Sequence, residues 1–405
     1  MSGTINFPAA PGSEGESANP LTSAPIHVLT LTPFYPSAED DAAGCFVSEP
    51  IDALRRFGAE NTVFALQPFY RKKLRPPSGV AARWTRYLSW PGRAGLPAAG
   101  AFAFARIVGR VRELHREHRI DVIHAHAPLP SGHVAMLLSS ELGIPYVVSV
   151  HGLDVFSTGQ SGGRAAEWSR RLSQRVYHSS RRVICISEHV RENVLEGMGR
   201  SCRTSVVYNG VDTELFSPAS TPVSPDPVIL SVGNLIPIKG HDLLIRAVGS
   251  LASDFPRLSL DIIGDGPERE RLHDLAQQFR ILDRIHFLGR QARRQVAEAM
   301  RRCTVFALPS RYEGLGCVYL EAMSAAKPVI GCRGQGIAEI IHHGSNGFLV
   351  APENEKELTL ALGMLLREEP RRRNLGTLAR ETILDRLTLA HQAEKLARIY
   401  RESVG

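Results

Sequence analysis

The stretch SRYEGLGCVYLEAMSA, residues 310–325, places two carboxylates, Glu313 and Glu321, eight positions apart, with Gly314 and Gly316 crowded behind the first. A β-branched apolar run, VFALPS, gives way here to a segment of helical character, so the N–H groups of Gly314, Leu315 and Gly316 are expected to be free at a helix start. Such a start favours an anion such as a diphosphate, and the glycines let it come close. Glu313 cannot attract that anion. Its carboxylate only accepts hydrogen bonds, so its natural partners are neutral hydroxyls. Glu321 lies two helical turns on, on roughly the same face. A ligand with hydroxyls at both ends and phosphate between them satisfies the set, as a nucleotide sugar does: sugar at Glu313, diphosphate at the helix start, ribose at Glu321. A capping acid followed by a surface acid of an ordinary helix stays open as the alternative.

Other stretches offer chemistry that is less specific alone. Lys239 precedes Gly240 at a second helix start, where it is either a phosphate-facing cation or a solvated lysine. Gly264 and Gly266 in IIGDGPERERL mark a tight turn. VVSVHGLDVF (147–156) ends a strand with His151 and Asp154, where an imidazole suits hydrogen bonding to a sugar or serves the fold. HAHAP (124–128) puts His124 and His126 on one side of a strand, and with His151 they suggest a metal group. No carboxylate or Cys completes that group at motif spacing, so no metal and no cofactor is expected.

These residues need elements to hold them. Short apolar runs alternate with helical stretches through the chain, which predicts α/β architecture: two doubly wound, Rossmann-like parallel-sheet domains facing across a cleft. Six strands are predicted in each half. The expected divisions are a flexible tail over 1–25, a first domain over 26–216, a Pro/Ser linker over 217–227, a second domain over 228–387 and a last helix over 388–405. Ligands in such sheets sit beyond the carboxyl ends of the strands.

Composition narrows the class. Hydrophobic content of 43% and charged content of 22% suit a soluble globular protein, and the start lacks the layout of a signal peptide. Six scattered cysteines without C-x-x-C spacing suggest reduced thiols and a cytoplasmic location. Residues 71–119 hold twelve of the 48 Lys and Arg against two of the 41 Asp and Glu, so this segment supplies more than the whole net charge of +7. It also carries Trp84 and Trp90 between arginines, the composition of a surface that rests on anionic headgroups at the inner membrane face. A solvated charged face is the alternative. No nucleic-acid reading module accompanies the charge.

The stretch from Glu313 to Met323 resembles the E-G-x-G-x-x-x-x-E-A-M signature of family-4 retaining glycosyltransferases with the GT-B fold, and the similarity runs from about Ile26 to the C-terminal helices. VGNLIPIKGHDLLIRA (232–247) is similar to the family's diphosphate-clamping loop. The resemblance gives Lys239 that role and puts Asn234 where an Arg is common, with Arg311 as the candidate second cation. It places Gly264 and Gly266 near the base or ribose, and His151, with Asp154, in the cleft near the donor sugar. Gly44, followed by Cys45 where the family has a second glycine, falls in the first loop, which matches members that build cell-surface polysaccharides. What the resemblance implies is a retaining, metal-independent transfer of a hexose from a nucleotide diphosphate sugar to a saccharide or lipid-linked acceptor. The competing classes are a non-catalytic binding protein of the same fold and a nucleotide-sugar epimerase. A nicotinamide dehydrogenase is set aside because no G-x-G-x-x-G follows an early strand.

Overall fold

The computed structural model describes residues 25–76, 82–91, 95–154, 163–198, 202–219 and 226–405. All but the last residue of the expected tail, and the middle of the expected linker, lie outside the described residues.

The first sheet contains β1 (Ile26–Thr32), β2 (Ala59–Pro68), β3 (Ala82–Tyr87), β4 (Val122–His126), β5 (Tyr146–Val150), β6 (Arg182–Cys185) and β7 (Thr204–Val206). Its order is β3-β2-β1-β4-β5-β6-β7, and every pairing is parallel. The helices of this half are α1 (Cys45–Leu54), α2 (Leu96–Glu117), α3 (His133–Leu142), α4 (Arg164–Ser179) and α5 (Glu188–Met198). All five residues of β4 and all five of β5 are buried, as a parallel sheet covered on both faces requires.

The second sheet contains β8 (Val228–Val232), β9 (Ser259–Ile263), β10 (Ile285–Gly289), β11 (Val305–Ala307), β12 (Val329–Cys332) and β13 (Phe348–Val350), in the order β10-β9-β8-β11-β12-β13. With it go α6 (His241–Leu251), α7 (Arg269–Gln278), α8 (Arg293–Arg302), α9 (Cys317–Ser324), α10 (Glu355–Arg367), α11 (Glu369–Arg386) and α12 (Leu389–Val404). The order of each sheet reverses direction beside its first strand, which opens the crevice where ligands bind in doubly wound folds.

The last helix returns to the first domain. Leu396, Ala397, Ile399 and Tyr400 of α12 pack with Ile26, Val28, Val122, Val147 and Ile184 of the first sheet, and Arg401 donates to the Phe57 carbonyl at 2.6 Å.

One strand differs from the sequence expectation. Residues 82–87 form the edge strand β3, with Ala82 opposite Val63 and Tyr87 opposite Pro68. Trp84, expected to meet lipid, is instead half-buried against the cluster of Tyr35, Val47 and Val63.

Candidate functional site

The two sheets present their carboxyl ends to each other through a small set of loops. After β8 the chain makes a 3-10 turn over Pro237–Lys239, and Gly240 (φ +70) opens α6. A side chain at Gly240 would put its Cβ 2.0 Å from the Pro309 carbonyl oxygen, so only glycine lets this turn seat on the loop after β11. The seating brings Lys239 to Glu313: Nζ donates to Oε2 at 2.6 Å, and both side chains are largely buried.

The loop after β12 fixes the backbone that carries Glu313. The Glu313 N–H donates to Oε1 of Gln335 at 2.8 Å, Nε2 of Gln335 donates to the Arg311 carbonyl at 3.0 Å, and the Gly336 N–H donates to the Glu313 carbonyl at 3.0 Å. Gly316 (φ +80) then begins α9, with Leu315 fully buried beneath it.

Across the cleft, Gly152 meets Gly314 so closely that a Cβ on either would lie 3.1–3.2 Å from the other's Cα. His151 is thereby placed beside the Glu313–Gly314 turn. Its N–H donates to Oδ1 of Asp154 at 2.8 Å, and its ring packs against Phe46 with centroids 4.7 Å apart. Burial pulls the His151 imidazole down to about 3, so the ring is neutral near pH 7.

Glu321 is 3% exposed. One oxygen accepts from Nη1 of Arg293 at 2.5 Å, while Oε2 is buried with no hydrogen-bond partner among the described residues. Arg293 also reaches the first domain: Nη2 donates to Oε1 of Glu49 at 2.7 Å, and its backbone N–H donates to Oδ1 of Asp41 at 3.1 Å. Its guanidinium lies 4.7 Å above the Phe216 ring.

Other expected residues fall as follows. Arg311 spends its guanidinium on Asp242, with two bonds of 3.0 Å, and on Glu353 and the Pro237 carbonyl. It is therefore not the free second cation expected beside Lys239; its charge is already neutralised by two carboxylates. Asn234 is exposed at the rim of the loop. Gly264 and Gly266 serve close packing, since a Cβ there would lie 1.9 Å from the Gly233 carbonyl and 2.4 Å from that of Leu235. Gly44 (φ +78) is held against the backbone of Phe34 and Tyr35, 2.6 Å from where a Cβ would sit. Among the described residues, no group of three or more His, Cys, Asp or Glu is arranged to hold a metal ion. His124, His126 and His151 bond to one another and to hydroxyls instead.

Three further residues tie the site together. Gln335 ties down the Glu313 loop. Arg293 joins Glu321 to Glu49. Glu339 accepts from the Glu188 and His189 N–H groups at the start of α5 and from Tyr208 Oη, at 2.7–2.8 Å. Their partners are remote in sequence, so no spacing rule could reveal them.

The parallel two-domain fold thus brings the start of α9, Lys239 and Glu313 to one side of the cleft, with His151 on the other. Residues 46–215 match the family described as Glycosyltransferase Family 4, and residues 212–382 match Glycosyl transferases group 1. An uncharacterized glycosyltransferase of Methanocaldococcus jannaschii is 32% identical over 263 residues, 65% of this chain and 70% of that one. A GDP-mannose-dependent alpha-(1-6)-phosphatidylinositol monomannoside mannosyltransferase of Mycolicibacterium smegmatis is 27% identical, over 72% of this chain and 79% of that one. The structure of sucrose-phosphate synthase from Thermosynechococcus elongatus superposes with a TM-score of 0.78 at 21% identity, covering 93% of this chain and 98% of that one. The chain belongs to the family-4 glycosyltransferases with the GT-B fold.

Proposed function

We propose that the protein moves a hexose from a nucleotide diphosphate sugar to a saccharide or lipid-linked acceptor, with retention at the anomeric carbon and without a metal ion. The observation that carries this reading is the Lys239–Glu313 pair at the start of α9, opposite His151. An entering diphosphate competes for the Lys239 ammonium and for the N–H groups of Gly314 to Gly316. Glu313 is then released to accept from hydroxyls of the transferred sugar, and the free Oε2 of Glu321 accepts from a ribose hydroxyl.

In the transfer itself the bond between the anomeric carbon and the phosphate oxygen breaks, and a bond to the acceptor oxygen forms on the same face. The acceptor's proton passes to the departing diphosphate. Lys239 and the helix start stabilise the charge that develops there, and Glu313 acts by holding the sugar in place.

The acceptor side supports a membrane-resting enzyme. Trp90 is 65% exposed and pairs with Phe102 at 6.2 Å, next to exposed Phe69, Tyr70 and Leu88, with Arg71, Lys72, Lys73, Arg106 and Arg110 also exposed. We place this patch against the anionic inner membrane face, where rings meet the interface and cations meet phosphate. No described helix is long and apolar enough to cross a membrane.

Anomeric outcome tests the chemistry without knowledge of the acceptor. Proton NMR of slow donor hydrolysis should show the retained anomer first, and Glu313→Gln should slow it by about 100- to 1000-fold with the fold intact. Inverted product or near-normal turnover of the variant would overturn the assignment.

A further inference from the structure

Beneath His151 the first domain carries buried polar rings that the transfer as described does not use. Cβ direction alternates along a strand, so His124 and His126 of β4 share a face. Their rings pack at a tilt with centroids 4.3 Å apart, and the His126 ring lies edge to edge with that of His151, with centroids 5.2 Å apart and the planes within 11° of each other. Nδ1 of His126 lies 3.0 Å from Nε2 of His151. His124 is pinned at both nitrogens: Nε2 is 2.7 Å from Ser149 Oγ, and Nδ1 is 2.7 Å from the hydroxyl of Tyr400, 276 positions further along the chain in α12. His124 thus forms a fixed platform on which His126 rests.

Burial keeps all three imidazoles neutral near pH 7: His124 and His151 are pulled down to about 3, and His126 falls well below its ordinary value. A neutral imidazole has one N–H and one lone pair. Across the 3.0 Å contact one ring must donate and the other accept. Whichever role Nε2 of His151 takes, Nδ1 of that ring must take the opposite one. Nδ1 of His151 is buried and has no hydrogen-bond partner among the described residues, an arrangement that costs stability unless a ligand satisfies it.

We propose that the His126–His151 pair rests in one of its two coupled arrangements, with His126, seated on His124, as the positioning residue that holds Nδ1 of His151 in one hydrogen-bonding role toward a substrate hydroxyl. The consequence for turnover rests on the glycosyl-transfer reading above; the tautomer does not.

Two-bond proton–nitrogen correlation spectra of the full chain, labelled with ¹⁵N-histidine and without ligand, read the tautomer directly. The His151 signals are identified by their loss in His151→Asn. A single tautomer is expected in the wild type and in His126→Asn, whose amide places a donor or an acceptor near the lost Nδ1. Mixed tautomers are expected in His126→Leu and in His126→Phe, the latter keeping an aromatic ring without a nitrogen. With nucleotide sugar, the Leu and Phe variants should lose about 10- to 100-fold in kcat with donor KM little changed, and Asn should restore most of it.

Mixed tautomers in the wild type, or an unchanged single tautomer in both nitrogen-free variants, would overturn the proposal even if no nucleotide sugar is turned over. So would a loss of kcat that Asn fails to rescue. A change of tautomer in a protein that turns over no nucleotide sugar would uphold the positioning and sink only the transferase reading.

Discussion

Lys239 and Glu313 stand 74 positions apart in sequence and 2.6 Å apart in space, and both were legible because each sits at a glycine-marked helix start. Arg293 was not legible. It belongs to a run of arginines in RQARRQ whose neighbours are solvated, and only the fold shows that its side chain is buried, at 8% exposure, between Glu321 and Glu49. Burial raises the Glu49 carboxyl while the Arg293 charge opposes that rise. Removing the cation leaves two acids of the cleft uncompensated. Arg293→Met should therefore lower unfolding free energy by about 3 kcal/mol in urea titration, and adding Glu49→Gln should recover part of the loss. A loss under about 1 kcal/mol would show that the cluster is already well hydrated.

The elements were largely readable from periodicity, because twelve of the strands are short apolar runs bounded by turn residues. β3 was missed. In ARWTRY only Thr85 and Tyr87 are buried, and the arginines masked that alternation so the segment read as surface. Edge strands commonly carry such charge, since it blocks pairing with other chains. The two tryptophans part roles here, half-buried Trp84 serving the core and exposed Trp90 the surface. Flotation with anionic liposomes should show binding that weakens with salt and is largely lost in Trp90→Ala with Phe102→Ala. Absence of binding by the wild type would remove the membrane placement.

As a whole the molecule holds its two domains together at the cleft. Ser187 Oγ donates to the Gly314 carbonyl at 2.6 Å, Glu339 caps α5 from the opposite domain, and Arg290 donates to Asp40 at 2.7 Å. None of this was legible in sequence, because contacts between domains follow no period. The buried histidines make the stability of this assembly sensitive to acid. His124 and His151 titrate at about 3 when folded, whereas an unfolded imidazole titrates near about 6.5. Below that upper value the unfolded chain binds protons that the folded chain does not, so stability is present above about pH 6.5 and is lost as pH falls. Each such histidine adds up to about 1.4 kcal/mol per pH unit, so the stability of His124→Gln should fall less steeply than that of the wild type between about pH 6.5 and 5.5. Parallel curves would show that His124 is not neutral in the folded protein.

Donor binding requires a nucleotide diphosphate at the start of α9. Calorimetric titration of the protein with UDP, GDP and ADP addresses it directly. One of the three should bind, and Lys239→Ala should weaken it by about 10- to 100-fold, the loss of a charge-assisted contact to phosphate. If none binds even at millimolar concentration, the single lysine left by exposed Asn234 and neutralised Arg311 does not make a donor site, and the transferase assignment of this cleft is contradicted.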